Sequence, residues 1–567
     1  ASLLQRKDKN MEERKNPRPE LPKEPVLSWA ERNLRDFSEL SDPEPVIFVT
    51  DLALLPLSEG IDGFYFAPDM EVQPDELQKA LERYAAGTVT DLPGVLQPMN
   101  KMAAARWLMD TLTAADGTAT LPKLYYKQAI TPTEGVVALE HALLLTDTGS
   151  AIESGGTATT ILRNCRVLGV TAGETKPLEG PPSGLLVAGN MRANLIMGQS
   201  QTYYINSSVT VPNWAVYATD GAQPTEKPGQ KELSVFVYGS AGTAIHGGYG
   251  TYSDLFCNVY LFGSTLTVPE IGAISGTFGK LTLGTIGQGE HFSELAPVLT
   301  EKDRDQNPEK NKGTLVRSGR TALMIHCVSL PPYWGRPGYS QAELPFHSGV
   351  VEIQNSILET DLSLEKAIDY PAAANAYIAH HRGSVILVKS CNVQIRVRQS
   401  QLKPDPQGTG AILHTVINSD IAFSVKVPEG TVYPGIHGSF ADMEMQGDML
   451  HEDYQRDLYL TLQDVRFTGK IVTGTAETWN KTAMRECFPE YIIDPDGYQT
   501  VHGTHLRLER HTIWTVTGTS SLRELVLEPG AIIQAKHGGI TMMLNGVPVA
   551  LEPGCYRGEI ILQPDET

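Results

Sequence analysis

Short apolar runs separated by turn residues fill the C-terminal part of the chain. Residues 514–535 read WTVTGTSSLRELVLEPGAIIQA, and no apolar run in this stretch exceeds a few residues. Such runs are too short for helices and suit β-strands. Pro529-Gly530 is a strong turn signal, and further short runs follow at 540–544 and 547–551. The stretch therefore predicts consecutive short strands joined by tight turns.

A related phrase recurs upstream, in which an Asn or Asp precedes alternating apolar positions. It begins at Asn164, Asn206, Asn258, Asn355, Asn392, Asn418 and Asp464. Short repeated strands cannot bury their apolar faces alone, so they imply stacking into a solenoid. The recurring Asn predicts side-chain amides at equivalent corners, bonded along the stack. Uneven spacing between the phrases predicts inserted loops of varied length.

The phrase W-T-V-T-G-T-S-S-L-x-x-L-x-L-x-P-G, which begins at Trp514, resembles the closing turns of exported bacterial right-handed parallel β-helix proteins. That group includes autotransporter passengers and pectate-lyase-like enzymes. The resemblance implies a right-handed parallel β-helix over residues 149–567. It also implies export to the periplasm, the cell surface or the medium. It carries over no catalytic residue, because no catalytic motif of the group matches this chain.

Two regions precede the predicted solenoid. Residues 1–44 form a charged, proline-rich arm, which we expect to pack on the body or on a second copy of the chain as a homo-oligomer contact. Residues 45–148 predict a small α/β cap, with a strand at 46–52, a helix that opens at Pro74 and a second helix capped by Asn100. A solenoid needs such a cap because its terminal turn exposes apolar surface and free strand edges.

Three inserted loops interrupt the repeats of residues 149–567. They span residues 301–312, 329–347 and 477–503. The first is highly charged, which predicts a solvated loop. The second concentrates aromatic residues, and aromatic residues on a loop often cover a ligand.

Composition excludes some classes of partner. The formal net charge is −20, and a nucleic-acid-binding surface needs basic residues. No apolar run reaches the length of a membrane span. The six cysteines stand far apart without the spacing of a zinc site, and Cys165, Cys257 and Cys391 each lie beside a repeat Asn. We expect these three to be buried thiols inside the stack.

The glycine-rich segment 244–254 holds the densest group of polar and aromatic residues. His and Tyr transfer protons near neutral pH when their environment tunes them. We therefore predict that His246 or Tyr249 acts as catalytic acid or base, oriented by Asp254. Tyr252 is a candidate for substrate binding. The glycines argue against a continuous strand here, and the alternative interpretation is a glycine-rich corner with a hydrogen-bonded His.

His326 ends an apolar run immediately before the aromatic insert. It is a further catalytic candidate, although a lone His in an apolar strand is more often buried and hydrogen-bonded. Four residues of the insert are candidates for holding the substrate. They are Tyr333, Trp334, Arg336 and Tyr339.

Two arginines alternate with apolar residues in the run 393–398, so Arg396 and Arg398 project from one face of a predicted strand. Paired arginines on an exposed face suit a carboxylate or another anion. The alternative is a solvated face on which acidic neighbours neutralise both.

These patterns predict a cofactor-free enzyme that uses proton transfer without a metal. We expect a lyase or an isomerase/dehydratase that acts on a carbohydrate or a similar polar small molecule in a lateral cleft. No P-loop, Rossmann, nucleophile-elbow or zinc-protease motif is present. The alternative is a non-catalytic exported β-helix, used for adhesion, structure or carbohydrate binding. A scaffold subunit whose arm clasps a partner is the third option.

Overall fold

The computed structural model is mainly β, with parallel sheets. It describes residues 30, 34–51, 54–61, 63–85, 97–115, 124–126, 130–140, 142–146, 150–169, 175–177, 186–188, 192–222, 233–253, 257–276, 279–285, 295, 297–306, 313–326, 348–365, 378–389, 391–416, 433–453, 456–474 and 502–565. None of the helices in these ranges is long and apolar enough to cross a membrane. The arm 1–44 lies mostly outside these ranges.

An α/β region with a hydrophobic core of its own precedes the parallel strands. Its elements are α1 (Pro43–Asp51), β1 (Ser58–Gly60), β2 (Gly63–Tyr65), β3 (Glu71–Val72), α2 (Pro74–Ala85), β4 (Met99–Asn100) and α3 (Lys101–Ala115). Leu77 and Leu81 of α2 are buried in this core. Asn100 caps α3, because its Oδ1 accepts a hydrogen bond from the Ala103 backbone N–H at 2.8 Å.

The strand predicted at 46–52 is wrong, since these residues belong mostly to α1. Pro43 occupies the first helical position and Glu44 the first turn, which both favour a helix start. Val46 and Val49 are fully buried in the same cluster as Leu108 of α3. Tertiary packing therefore overrides the β-propensity of this run.

Three series of parallel strand pairs make up most of the rest of the described fold, and the chain passes through them in a fixed order. The first series contains β6 (Val136–Glu140), β9 (Thr159–Arg163), β14 (Gln201–Ile205), β16 (Ser234–Tyr238), β18 (Asn258–Phe262), β21 (Lys280–Gly284), β24 (Gly349–Gln354), β27 (Val393–Arg398), β30 (Ile436–Gln446), β32 (Leu458–Gly469), β34 (Thr504–Leu508) and β36 (Ser520–Leu527). We call it the first ladder. In strands such as β27, buried apolar residues alternate with outward polar ones, and Val393, Ile395 and Val397 are buried. Strands β16 and β18 are instead buried at every position.

The second ladder follows the first across a sharp corner. It contains β5 (Leu124–Tyr126), β7 (Ala142–Thr146), β10 (Arg166–Gly169), β15 (Ser208–Ala222), β17 (Ala241–Ser253), β19 (Thr265–Val268), β22 (Leu315–Ser318), β25 (Ile357–Thr360) and β28 (Gln401–Lys403). Its direction is continued by β35 (Ile513–Val516), which pairs with the second half of β32, and by β37 (Ile532–Ala535), which pairs with β35.

The third ladder shares a sheet with the second, because β15 and β17 are long enough to pair in both. It contains β8 (Ser150–Ser154), β13 (Arg192–Gly198), β20 (Ile271–Ser275), β23 (Thr321–His326), β26 (Ile386–Lys389), β29 (Ala411–Val416), β31 (Asp448–His451) and β33 (Ile471–Thr473). Two antiparallel elements lie outside the ladders. These are the hairpin of β11 (Thr175–Pro177) and β12 (Leu186–Ala188), and the closing strands β38 (Ile540–Leu544), β39 (Val547–Val549) and β40 (Gly554–Pro564).

The corner between the first and second ladders uses the left-handed backbone conformation. Asn164, Asn206 and Asn355 have φ of 51°, 48° and 50°, and Asp464 has φ of 52°. Asn and Asp tolerate this conformation better than other non-glycine residues. The prediction of repeated corners is confirmed for these four. It is wrong for Asn258, which begins β18, and for Asn392, which directly precedes β27, whereas Asn418 lies outside the described ranges.

Serine hydroxyls carry much of the bonding along this corner, a role that we predicted for side-chain amides. The backbone N–H of Cys165 donates to Ser207 Oγ, that of Ser207 to Ser240 Oγ, and that of Ser240 to Ser264 Oγ, at 3.1, 2.9 and 3.2 Å. Amides bond along the stack at the other end of the first ladder, where Asn258 Oδ1 accepts from the N–H of Lys280.

The glycine-rich segment is a continuous strand, β17, which corrects the expectation that its glycines interrupt it. The glycines are needed because neighbouring strands approach closely. A Cβ on Gly250 would lie 2.1 Å from the carbonyl oxygen of Gly272. Glycine at this position therefore permits the pairing.

The charged insert 301–312 contains a short helix, α4 (Glu301–Asp305), so the prediction of a purely solvated loop is wrong. Asp303 completes a capping box with Thr300 and is buried, where it accepts a hydrogen bond from Arg163 Nε at 3.1 Å. Leu295 and Leu299, just before α4, pack on an outward column of stacked aromatic rings. That column consists of Tyr203, Phe236 and Tyr260.

The prediction of buried thiols is confirmed for Cys165, Cys257 and Cys391, which are buried and take part in no disulfide within the described ranges. Cys555 is free and exposed. Cys327 and Cys487 lie outside the described ranges.

Candidate active site

The outer surface of the third ladder carries an unusual number of ionisable side chains. Ile325, Ile386 and Val388 belong to the internal core. Since side chains alternate along a strand, His326 and Lys389 project to the opposite side. His326 pairs with Lys389, and Leu387 pairs with His414 on the next strand.

His380, His414 and Glu452 form the centre of this surface, which we call the edge cluster. Nε2 of His414 lies 2.9 Å from Oε2 of Glu452, and Nε2 of His380 lies 2.5 Å from the same oxygen. The two imidazole rings are 5.4 Å apart. Their ligand-type atoms and that of Glu452 all lie within 4.8 Å of one another. One carboxylate oxygen therefore serves two histidines.

The three residues differ in their access to solvent. The His414 side chain is 1% exposed, whereas those of His380 and Glu452 are 21% and 18% exposed. His414 belongs to strand β29, while His380 belongs to a helical turn at 378–381 and Glu452 directly follows β31. His414 therefore anchors the cluster in a buried strand, whereas His380 and Glu452 form the side that solvent can reach.

Burial and hydrogen bonding set the charge state of each group in the cluster. Burial lowers the pKa of His414, and the hydrogen bond to Glu452 only partly offsets this effect. Burial alone would raise the pKa of Glu452, but hydrogen bonds from His380 and His414 hold it far below its usual range. At neutral pH the cluster therefore contains an ionised carboxylate and a neutral buried imidazole.

Two further buried histidines flank the edge cluster. Burial, reinforced by the nearby charge of Lys389, lowers the pKa of His326 to about 3. The same two causes, in the same order, lower the pKa of His381 well below its usual value. Both imidazoles are therefore neutral at physiological pH.

A hydrogen-bond network holds Glu452 in place from the preceding strand, β29, and from the segment that follows β31. Its own N–H donates to the Thr415 carbonyl at 2.8 Å. The preceding His451 is 2.6 Å from Thr415 Oγ1 through Nδ1 and 3.0 Å from the Arg456 carbonyl through Nε2. Arg456 in turn donates to Asp453. Glu452 therefore lies between two anchored neighbours.

Long segments leave the third ladder at the edge where the cluster lies. Parallel strands in register end at the same edge of their sheet. Residues 327–347 follow β23, residues 417–432 follow β29 and residues 475–501 follow β33. Two of the three predicted inserts, 329–347 and 477–503, thus leave from this edge.

The structure places only part of the predicted catalytic set here. His326 ends β23 on the outer surface of the third ladder and is 4% exposed. Tyr249 lies within β17 with no exposed surface, its ring stacked 6.1 Å from that of Tyr252. His246 lies on β17, but the structure does not describe its side chain. These assignments remain predictions. Five candidates lie outside the described ranges, namely Asp254, Tyr333, Trp334, Arg336 and Tyr339.

The two predicted anion-binding arginines lie on the first ladder and contact acidic neighbours. Arg396 donates to Glu352 at 2.9 Å, and Arg398 donates to Asp442 at 3.0 Å. Both guanidinium groups are more than half exposed. This arrangement matches the solvated, acid-paired face that we gave as the alternative, and a role in anion binding stays a prediction.

Sequence reasoning missed the edge cluster. His414 and Glu452 are 38 residues apart, and His380 and Glu452 are 72 residues apart, so no short motif links them. The available signals were the His380-His381 pair and the sequence His-Glu-Asp that starts at His451. Both sit next to predicted strands, but only the strand register shows that they meet.

Fold and site together define a mainly β protein with parallel ladders and a His–Glu–His cluster at one ladder's edge. No family model matches the chain, and neither a curated protein nor a solved structure shows significant similarity to it. The resemblance to exported β-helix proteins therefore stays a prediction.

Proposed function

We propose that residues from about 124 onward wind as a right-handed parallel β-helix, with the three ladders as its faces. The repeated order first, second, third supports this, as in β24, β25 and β26 followed by β27, β28 and β29. Crossover connections between parallel strands are right-handed in about 98% of cases. Export of the chain, and oligomer formation through the arm 1–44, belong to the same proposal.

We further propose that the protein is an enzyme that transfers a proton on a carbohydrate or a similar polar molecule, as a lyase or an isomerase/dehydratase. One observation carries this proposal. A single ionised carboxylate oxygen holds two imidazoles at the one edge where long segments leave the ladder. Ionisable groups whose pKa values are strongly perturbed by burial and by a specific partner, as those of His414 and Glu452 are, cluster at catalytic sites. This moves the proposed centre from the segment 244–254 to the edge cluster.

The cluster has the parts that proton abstraction requires. When Nε2–H of His380 is donated to Glu452, its lone pair is carried by Nδ1, which is then the acceptor for a proton. In a lyase reaction the substrate C–H proton moves to this nitrogen, the C–H electron pair forms the new double bond, and the bond to the leaving oxygen breaks. The negative charge of Glu452 stabilises the imidazolium that forms. The same proton is then available to the leaving oxygen.

The test is turnover of a panel of neutral and uronate-containing oligosaccharides, followed by ultraviolet absorbance of unsaturated products and by mass spectrometry for isomers. Glu452→Gln removes the charge at the cluster, and we expect activity to fall at least 100-fold. The matched control Glu352→Gln removes a carboxylate on the first ladder and should leave activity unchanged. No turnover of any panel member, or equal activity of both variants, would contradict the proposal.

One specific observation favours a second candidate, carbohydrate binding without catalysis. The ring of Tyr459 is stacked between those of His437 and His505, with centroid distances of 4.7 Å on both sides. Tyr459 is 37% exposed on the outer surface of the first ladder. Flat exposed rings suit the apolar faces of sugars. If this candidate is right, Tyr459→Ala weakens oligosaccharide binding while Glu452→Gln does not.

A further inference from the structure

We propose that His380, His414 and Glu452 together bind one divalent first-row transition-metal ion of the Zn²⁺, Co²⁺ or Mn²⁺ type. The ion's use in catalysis rests on the proposed function above, whereas its binding does not. The proposal starts from the convergence of two imidazole nitrogens and a carboxylate oxygen on one point.

The distances fit a metal centre after small movements. Ligand bonds to zinc are about 2.0–2.2 Å long, which places tetrahedral ligand atoms roughly 3.3 Å apart. The three donor atoms here already lie within 4.8 Å of one another, and two of the separations are 2.5 and 2.9 Å. An ion at their centre therefore requires shifts of about 1 Å or less, which the partly exposed His380 and Glu452 can make.

The donor types select the class of ion. Two imidazoles and one carboxylate suit Zn²⁺, Co²⁺, Mn²⁺ or Fe²⁺, whereas Ca²⁺ and Mg²⁺ prefer oxygen ligands. Three protein ligands are also the number found in catalytic sites that keep a position open for water or substrate. The open side here is the side of His380 and Glu452, since His414 is buried.

The backbone holds the ligands in a preformed arrangement. His414 lies within β29, paired on both sides with Leu387 and Leu450. The helical turn of His380 is closed by the hydrogen bond from Arg382 N–H to the Ile378 carbonyl at 2.8 Å. The His414 Nδ1 atom is buried and makes no hydrogen bond to any residue that the structure describes. With Nδ1 carrying the ring proton, the lone pair of Nε2 is left to coordinate the ion.

A bound ion would extend the proposed chemistry. Coordination lowers the pKa of a bound water to about 7. Held by His380, His414 and Glu452, the ion would supply such a water as the proton acceptor in place of Nδ1 of His380. The positive charge of the ion stabilises the anion that forms on the substrate.

The experiment is equilibrium dialysis of the full chain, stripped with a chelator, against Zn²⁺, Mn²⁺ or Mg²⁺, with elemental analysis of the protein. We expect one Zn²⁺ per chain and no retained Mg²⁺. Glu452→Gln and His380→Gln should each weaken Zn²⁺ binding at least 10-fold. Glu352→Gln and His437→Gln, which alter the first ladder only, are the matched controls and should bind as the wild type does. Circular dichroism of every variant checks that it is folded.

Two results would overturn the metal site: no Zn²⁺ retained by the wild type, or equal retention by all four folded variants. The outcomes also separate this inference from the proposed function. Zn²⁺ binding without turnover of any substrate supports the site and rejects the enzyme. Full turnover by a chain shown to contain no metal supports the enzyme and rejects the ion's use in catalysis, while the dialysis result alone decides the site.

Discussion

Oε2 of Glu452 lies 2.9 Å from Nε2 of His414, although 38 residues separate the two in sequence. The strand register explains the contact. Thr415, which follows His414, pairs with His451, which precedes Glu452, on adjacent parallel strands. A strand spacing of about 4.8 Å then places the two side chains within reach of each other. A shift of this register by one residue would separate the side chains of His414 and Glu452.

The serine column at the corner of the ladders should contribute measurably to stability. Ser240→Ala removes the acceptor for the buried N–H of Ser207. An unsatisfied buried donor costs about 1–3 kcal/mol, so we expect the free energy of unfolding to fall by that amount. Urea denaturation followed by fluorescence measures it. Ser439→Ala, at an exposed position, is the control and should change stability little. Equal stability of both variants would argue against the column.

The left-handed corners predict an unusual preference for glycine. Asn355 has φ of 50°. An alanine there adopts a conformation that costs about 1–2 kcal/mol, whereas glycine adopts it without strain. Asn355→Ala should therefore lower the melting temperature, and Asn355→Gly should lower it less or not at all. Differential scanning calorimetry measures both melting temperatures. A lower melting temperature for Asn355→Gly than for Asn355→Ala would contradict the corner geometry.

The close approach at Gly250 predicts a severe effect of one methyl group. A Cβ there would lie 2.1 Å from the Gly272 carbonyl oxygen, so Gly250→Ala must push two strands apart. We expect loss of soluble protein or a destabilisation of at least about 3 kcal/mol. Gly155→Ala is the matched control, because a Cβ at Gly155 meets no atom within 4 Å. Soluble, equally stable variants would show that β17 is not a continuous strand.

The histidine beside Asp457 predicts a pH-dependent contribution to stability. Hydrogen bonds to Asp457, and then to Glu524, raise the pKa of His505 despite its partial burial. A raised folded-state pKa means that the stabilisation is fully present below the unfolded value of about 6.5 and is lost as pH rises through the folded value. His505→Gln should therefore destabilise the protein by about 1 kcal/mol at pH 5.5 and by clearly less at pH 9. Thermal melts at both pH values measure this, and an equal loss at both would reject the ion pair.

Local patterns predict the repeating parts of the fold, because they act within a few residues. The Asn at a left-handed corner, the Asn100 cap and the buried Cys165 thiol all follow from neighbours in sequence. The helix α1 could not be predicted in this way, since its β-branched residues are helical only through packing on α3. Nor does the sequence show that the glycines of β17 serve a close strand contact.

The edge cluster could not be predicted from the sequence for a related reason. His380, His414 and Glu452 lie on three consecutive passes through the third ladder, with segments of different lengths between them. Their meeting depends on strand register, which a single sequence does not specify across such segments. His326 was a catalytic candidate because it directly precedes the aromatic insert. It lies on the same outer surface of the third ladder as the edge cluster, and its catalytic role stays a prediction.

Anomalous diffraction from crystals grown with Co²⁺ or Zn²⁺ tests the edge cluster most directly. Data collected on either side of the metal absorption edge locate the ion without reference to the protein's chemistry. We expect one peak about 2.0–2.2 Å from Nε2 of His380, a nitrogen of His414 and an oxygen of Glu452. A map with peaks elsewhere and none at this cluster, under saturating metal, would contradict the account.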